Sequence, residues 1–169
     1  MSVFSYIASD CPLKEVKNPN IKLLSVNQAL DMGLEVHEFL LDESFDRGKA
    51  DVMLWVNNEE DLSDIEIRTI AREGMDWEIY IIEKKYLASL NWQYTEERAQ
   101  RLMEYIRLHL ADADEIELWN IWFGATAQRL DQVVNKRCIH IDRLTSEDLN
   151  ILFFKSSAEV AQCLKVIRT

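Results

Sequence analysis

The chain has 169 residues, 48% of them apolar and 29% charged, with a net charge of −11 at pH 7. A chain of this length can bury roughly 70% of its unfolded surface as one domain without a disulfide or metal staple, and its apolar content excludes intrinsic disorder. The negative charge argues against nucleic acid and anionic membranes, both of which are held by clustered Lys and Arg.

In chain order, Met1 to Ala8 reads as a strand, followed by a loop between Cys11 and Asn20 that holds Pro12 and Pro19. Ile21 to Leu24 is a second short strand. Ser25 with Gln28 three residues later has the form of a capping box, and the helix it opens is expected to stop at Gly33, which suits the left-handed terminal position. Residues 34 to 50 read as loop or short helix. Asp51 to Val56 is a strand, Asn57 to Asp64 is turn-like, and Ile65 to Ile67 alternates as a strand does. The run Trp77 to Trp92 is rich in β-branched and aromatic residues; it is one long strand or a hairpin turning near Lys84, and the hairpin is preferred. Thr95 to Ala111 is the most secure element. Thr95 caps it, Glu96 and Glu97 suit its first turn, and Ala99, Leu102, Met103, Ile106 and Leu110 form one apolar stripe.

Glu115 to Phe123 reads as a strand that turns apolar on both faces beyond Glu117, which places it centrally in the sheet. Thr126 to Asn135 is expected to be helical. Cys138 to Asp142 reads as a short strand, and Thr145 with Asp148 starts a further helix. A last helix is expected from Ser156, with Val160, Cys163, Leu164 and Ile167 at helical spacing. Together these elements give a single α+β domain, a mixed and largely antiparallel sheet packed by helices.

Cys11, Cys138 and Cys163 are odd in number and widely spaced, which points to a reducing compartment. There is no basic, apolar leader and no run of ~20 apolar residues, so a cytoplasmic protein is expected.

Catalytic signatures are weak. Cys138, His140 and Asp142 alternate on the expected strand and would share a face, but a zinc site needs further ligands and no second cluster has matching spacing; no metal is expected. His109 has Asp112 three residues on, a pairing that could serve general-base chemistry or merely suit a helix end. His37 lies between Glu35 and Glu38 in no known pattern. The acids Asp112, Asp114, Glu115 and Glu117 fail the calcium-loop spacing, because its sixth and twelfth positions fall on Glu117 and Phe123. Four glycines, Gly33, Gly48, Gly74 and Gly124, are too scattered for a phosphate loop, so no nucleotide cofactor is expected. Trp55, Trp77, Trp92, Trp119 and Trp122 are either core residues or exposed anchors of a binding surface.

The charge is uneven. Asp42, Glu43, Asp46, Asp51, Glu59, Glu60, Asp61, Asp64 and Glu66 face only Arg47 and Lys49, giving −7 in 25 residues. Such a segment is a solubilising face or the footprint of a basic protein partner. The leading expectation is a non-catalytic binding protein of the immunity or antitoxin kind, small, acidic and free of catalytic motifs. A small hydrolase or transferase using His140 or His109 with nearby carboxylates is the second reading. An oligomeric accessory domain is the third, which leaves homo-oligomerisation open.

Overall fold

A computed structural model describes residues 2–71, 81–123, 134–155 and 161–168. In chain order its regular elements are β1 (Ser2–Ser9), β2 (Lys22–Leu24), α1 (Val26–Asp31), β3 (Met53–Trp55), β4 (Glu66–Ile70), β5 (Tyr86–Asn91), α2 (Glu96–His109), β6 (Glu115–Phe123), β7 (Val134–His140), α3 (Ser146–Asn150) and β8 (Ala161–Ile167). The chain forms two compact units. Met1–Lys17 with Ile65–Thr169 is the sheet unit, and Asn18–Asp64 is the small unit.

The sheet unit is an α+β fold. Its six strands run in the order β4-β5-β1-β6-β8-β7, and every neighbouring pair is antiparallel except β7 with β8. Alternation along each strand sends side chains to two layers. On one face Ile7, Ala88, Leu90, Ile116, Leu118, Leu164 and Val166 meet Ala99, Leu102, Met103 and Ile106 of α2. On the other face Tyr6, Ala8, Leu87, Trp119, Ile121 and Cys163 bury themselves with Ile82. β6 lies between β1 and β8, as its doubly apolar pattern requires. The edge strand β7 carries exposed Lys136 and Arg137, charges that discourage pairing with another chain.

Local chemistry explains the helix starts. The Thr95 side chain accepts from the Arg98 N–H at the head of α2, and Thr145 with Asp148 completes a capping box on α3. In the small unit Ser25 and Gln28 form the expected box at α1. Gly33 has φ +70°; its N–H donates to the Leu30 carbonyl and the Leu34 N–H to that of Ala29, closing the helix end. The small unit also holds the two-stranded ribbon β2–β3, in which Leu23 faces Leu54 and Lys22 faces Trp55. Its remaining described structure is 3₁₀ turns at Glu38–Leu41 and Glu59–Ser63.

The structure corrects two expectations and bears on part of two more. The last apolar segment is not a helix: Ala161–Ile167 is a strand between β6 and β7. An i, i+3, i+4, i+7 set and a strand apolar on both faces share most of their positions. Here Cys163 and Leu164 point to opposite layers, and burial in a two-sided sheet decides. Residues 156–160 lie outside the described residues. The expected helix over Thr126 to Asn135 also falls outside them except at its end, where Val134 and Asn135 belong to β7. Asp142 sits in a 3₁₀ turn after β7, so it does not alternate with Cys138 and His140 along a strand. Of the run Trp77 to Trp92, residues 77–80 lie outside the described residues, Ile81 to Lys85 is not strand, and β5 begins at Tyr86.

Because Leu164 is 1% exposed in the middle of the sheet, Leu164→Ala is expected to cost about 2–5 kcal/mol of stability. Urea denaturation measures it. A loss below 1 kcal/mol would place this segment outside the core.

Candidate functional site

The acidic residues divide between the units. Glu66 is on β4 of the sheet unit and pairs with Arg68. Asp42 to Asp64 belong to the small unit. There Asp42 accepts from the Ser44 N–H and hydroxyl, which holds its carboxyl below the usual range. Asp46 accepts from the Gly48 N–H, and Asp61 from the Asn58 N–H. Asp64 is buried and accepts from the Asn20 amide. Glu43, Asp51, Glu59 and Glu60 are exposed. Residues 18–64 hold eleven of the thirty acids and three of the nineteen bases, a net −8 out of −11. Lys22 stands over the Trp55 ring and Arg47 donates to the Leu41 carbonyl. The ion pairs made by Arg68, Lys84, Lys136, Arg137, Lys155, Lys165 and Arg168 lie in the sheet unit.

The histidines do not assemble a catalytic group. His109 is buried at the end of α2, where its Nε2 accepts from the Lys14 N–H at 3.0 Å and its Nδ1 lies 2.8 Å from the Tyr105 carbonyl. The second contact requires Nδ1 to carry the proton, which makes the ring a neutral clamp between α2 and the chain after β1. Its ring also stacks on Tyr105, with centroids 4.0 Å apart. His140 and Cys138 are exposed at the end of β7. His37 caps the turn at Glu38–Leu41. Among the described residues no three His, Cys, Asp or Glu side chains converge as metal ligands.

Two concave sites in the sheet unit had no motif to announce them. The first, a cavity of about 450 Å³, is lined by charges of both signs, including Glu115, Glu117, Lys84 and Lys136. Lys84 lies 2.5 Å from both Asp10 and Glu115, and Lys165 is 2.7 Å from Glu115. Beside them Glu117, 4% exposed, accepts from Lys136 at 2.7 Å and from the Trp119 indole at 3.0 Å. These pairs push protonation equilibria away from neutrality. Hydrogen bonds from Lys165 and Lys84 hold Glu115 low, and the bond from Lys84 does the same for Asp10. Burial alone would lower Lys84, but its bonds to the two carboxylates win and raise it to about 12. Burial sends the Cys163 thiol up to about 12. A general acid or base works best with a pKa near the operating pH, and none of these shifts brings a group there. The close pairs around Lys84 and Glu115 fix charges in place in this cavity.

The second site is an aromatic groove of about 510 Å³. Val3, Ser5, Leu90, Trp92 and Trp122 share the α2 face of the sheet at its far end, and Phe153 and Phe154 stand against them. Those two phenylalanines belong to a π-helical turn, Ile151–Lys155, that follows α3. Wide turns of this kind leave carbonyls without their usual partners. Asn120 of β6, wholly buried, supplies partners: its Nδ2 donates to the Leu152 carbonyl at 2.9 Å and to that of Phe153 at 3.3 Å. Trp92 then meets Phe153 and Phe154 edge to face, at centroid separations of 5.6 and 5.5 Å. The indole N–H groups of Trp92 and Trp122 are buried and, among the described residues, have no hydrogen-bond partner. A buried donor left unpaired costs about 1–3 kcal/mol.

No protein-family model, curated protein or solved structure matches this chain. Among the described residues no helix is long and apolar enough to cross a membrane.

The ion pairs around Lys84 make stability depend on pH. Asp10 and Glu115 have folded pKa values below their unfolded ones, so their contribution is complete above about pH 4.5 and is lost as pH falls through the folded values. Lys84→Met should flatten this acid limb. Urea denaturation from pH 7 to pH 2.5 measures the slope, and identical slopes for both proteins would contradict the assignment.

Proposed function

We propose that the chain is a non-catalytic binding protein, of the immunity or antitoxin kind, whose small unit engages a basic protein partner. One observation carries this reading: residues 18–64 hold most of the net negative charge, and their carboxylates Glu43, Asp51 and Glu59 are exposed without an ion pair among the described residues. Like charges crowded on 47 residues repel one another, and a cationic surface relieves the repulsion while steering the encounter.

Apolar anchors accompany the charge. Phe39 is 63% exposed, and Leu23 and Leu54, opposed across the β2–β3 ribbon, are each more than half exposed. Acids alone would accelerate encounter without prolonging it. Exposed aromatic and aliphatic side chains give a complex its slow dissociation. The burial of His109 between the Lys14 N–H and the Tyr105 carbonyl, and the exposure of His140 on β7, favour a binding role over the hydrolase or transferase reading based on His140 or His109.

The test is retention of a basic protein from a low-salt extract of the native host, followed by kinetics with the purified partner. The triple variant Glu43→Lys, Asp51→Lys, Glu59→Lys should slow association by about tenfold or more and remove its salt dependence. Leu54→Ser should instead speed dissociation. Retention indifferent to salt and to the triple variant would overturn the proposal.

A further inference from the structure

The two-stranded ribbon of the small unit has an open edge. We propose that the outer edge of β3 receives an extended basic segment of the partner protein as a third strand, one in which apolar side chains alternate with lysine or arginine. This rests on the docking role of the small unit proposed above and specifies what docks there. Two strands of three residues each are marginal in water, and a third strand is what such a ribbon lacks. In an antiparallel pair every second residue turns its N–H and C=O away from the neighbouring strand. Among the described residues nothing beyond the β2–β3 ladder hydrogen-bonds to the peptide groups of Met53, Leu54 or Trp55. Exposed edges are commonly guarded by a charge or a proline. β2 carries the exposed Lys22, whereas Met53, Leu54 and Trp55 bring neither guard.

Charge and side-chain pattern select the occupant. Exposed carboxylates flank β3 along the chain on both sides, Asp51 before it and Glu59 and Glu60 after it. The unit as a whole carries −8. Lysine or arginine in an incoming strand meets opposite charge there. The register partners Leu23 and Leu54 share one face of the ribbon, and each is more than half exposed. Apolar residues at alternate positions of a third strand would cover Leu54 from its open side, as Leu23 does from β2. Alternation sends the intervening residues to the face that carries Trp55, a ring that already holds the Lys22 ammonium 4.9 Å from its centroid and suits a cation. A second copy of this chain is the poorer occupant, because its small unit would bring a further −8 against the first.

The experiment titrates the full, isotopically labelled chain at low salt with short capped peptides and follows its backbone amides by NMR. The first probe is Lys-Val-Lys-Val-Lys-Val-Lys. The second has the same sequence with two consecutive central residues N-methylated, so that neither of its edges can pair. The first is expected to bind saturably and to protect amides of β3 from exchange. The second should bind about tenfold or more weakly, because main-chain hydrogen bonds supply the affinity of an added strand. Leu54→Lys, at a half-exposed position, should weaken the first probe several-fold more than Leu23→Lys, which places the same charge on the strand away from the edge. Equal affinity of the two probes, or equal weakening by the two substitutions, overturns strand addition while leaving a basic partner for the small unit. Absence of binding by both probes overturns the docking reading itself, and strand addition with it. A dimer of the unliganded chain, seen by sedimentation and abolished by Leu54→Lys, also overturns the proposal and makes a second copy the occupant.

Discussion

A strand covered on both faces cannot leave a polar side chain without a partner, and β6 carries two such side chains. Asn120 points to the α2 layer and Glu117 to the opposite one. Each is held by a segment distant in sequence. Asn120 holds the carbonyls of Leu152 and Phe153, and Glu117 holds Lys136 of the edge strand β7 together with its neighbour's indole. Two concave surfaces of the sheet unit adjoin these contacts. One side of β6 anchors the aromatic groove and the other anchors the charged cavity.

The molecule separates its electrostatics into two regimes. In the sheet unit acids such as Asp10, Glu115 and Glu117 stand in close pairs with bases, several of them half-buried, where the pairing fixes geometry more than it adds net stability. In the small unit most carboxylates accept hydrogen bonds from their own backbone or stand in solvent. Local turns such as those at Asp42 and Asp46 order the loop without cancelling its charge. The net charge of the small unit is thus largely uncancelled by its own bases.

Much of the fold was legible because short-range chemistry wrote it. The capping boxes at Ser25 and Thr145, the Thr95 cap, the left-handed Gly33 and the apolar stripe of α2 each involve residues within one or two turns of one another. The central place of β6 followed from apolar residues on both its faces. β8 was misread because Cys163, Leu164 and Ile167 fit a helical stripe as well as they fit a two-sided strand, and only the neighbours β6 and β7 distinguish them. The acidic segment was visible as composition, yet its division between the two units, with Glu66 on β4, was not. The groove was invisible because it assembles β1, β5, β6 and a π-helical turn, which no local motif links. A faint signal existed: Asn120 interrupts an otherwise apolar strand, and a lone polar residue there demands a distant partner.

The dependence of the aromatic groove on Asn120 is the most direct point at which to test this account. Amide hydrogen exchange would compare the native chain with Asn120→Leu, a substitution that keeps the side-chain branching and lacks the donor. The account predicts lost protection at Ile151–Lys155 and an altered tryptophan signal in near-ultraviolet circular dichroism, while the amides of β1, β6 and β8 stay protected. Unchanged exchange at Ile151–Lys155, or uniform loss across the sheet, would contradict it.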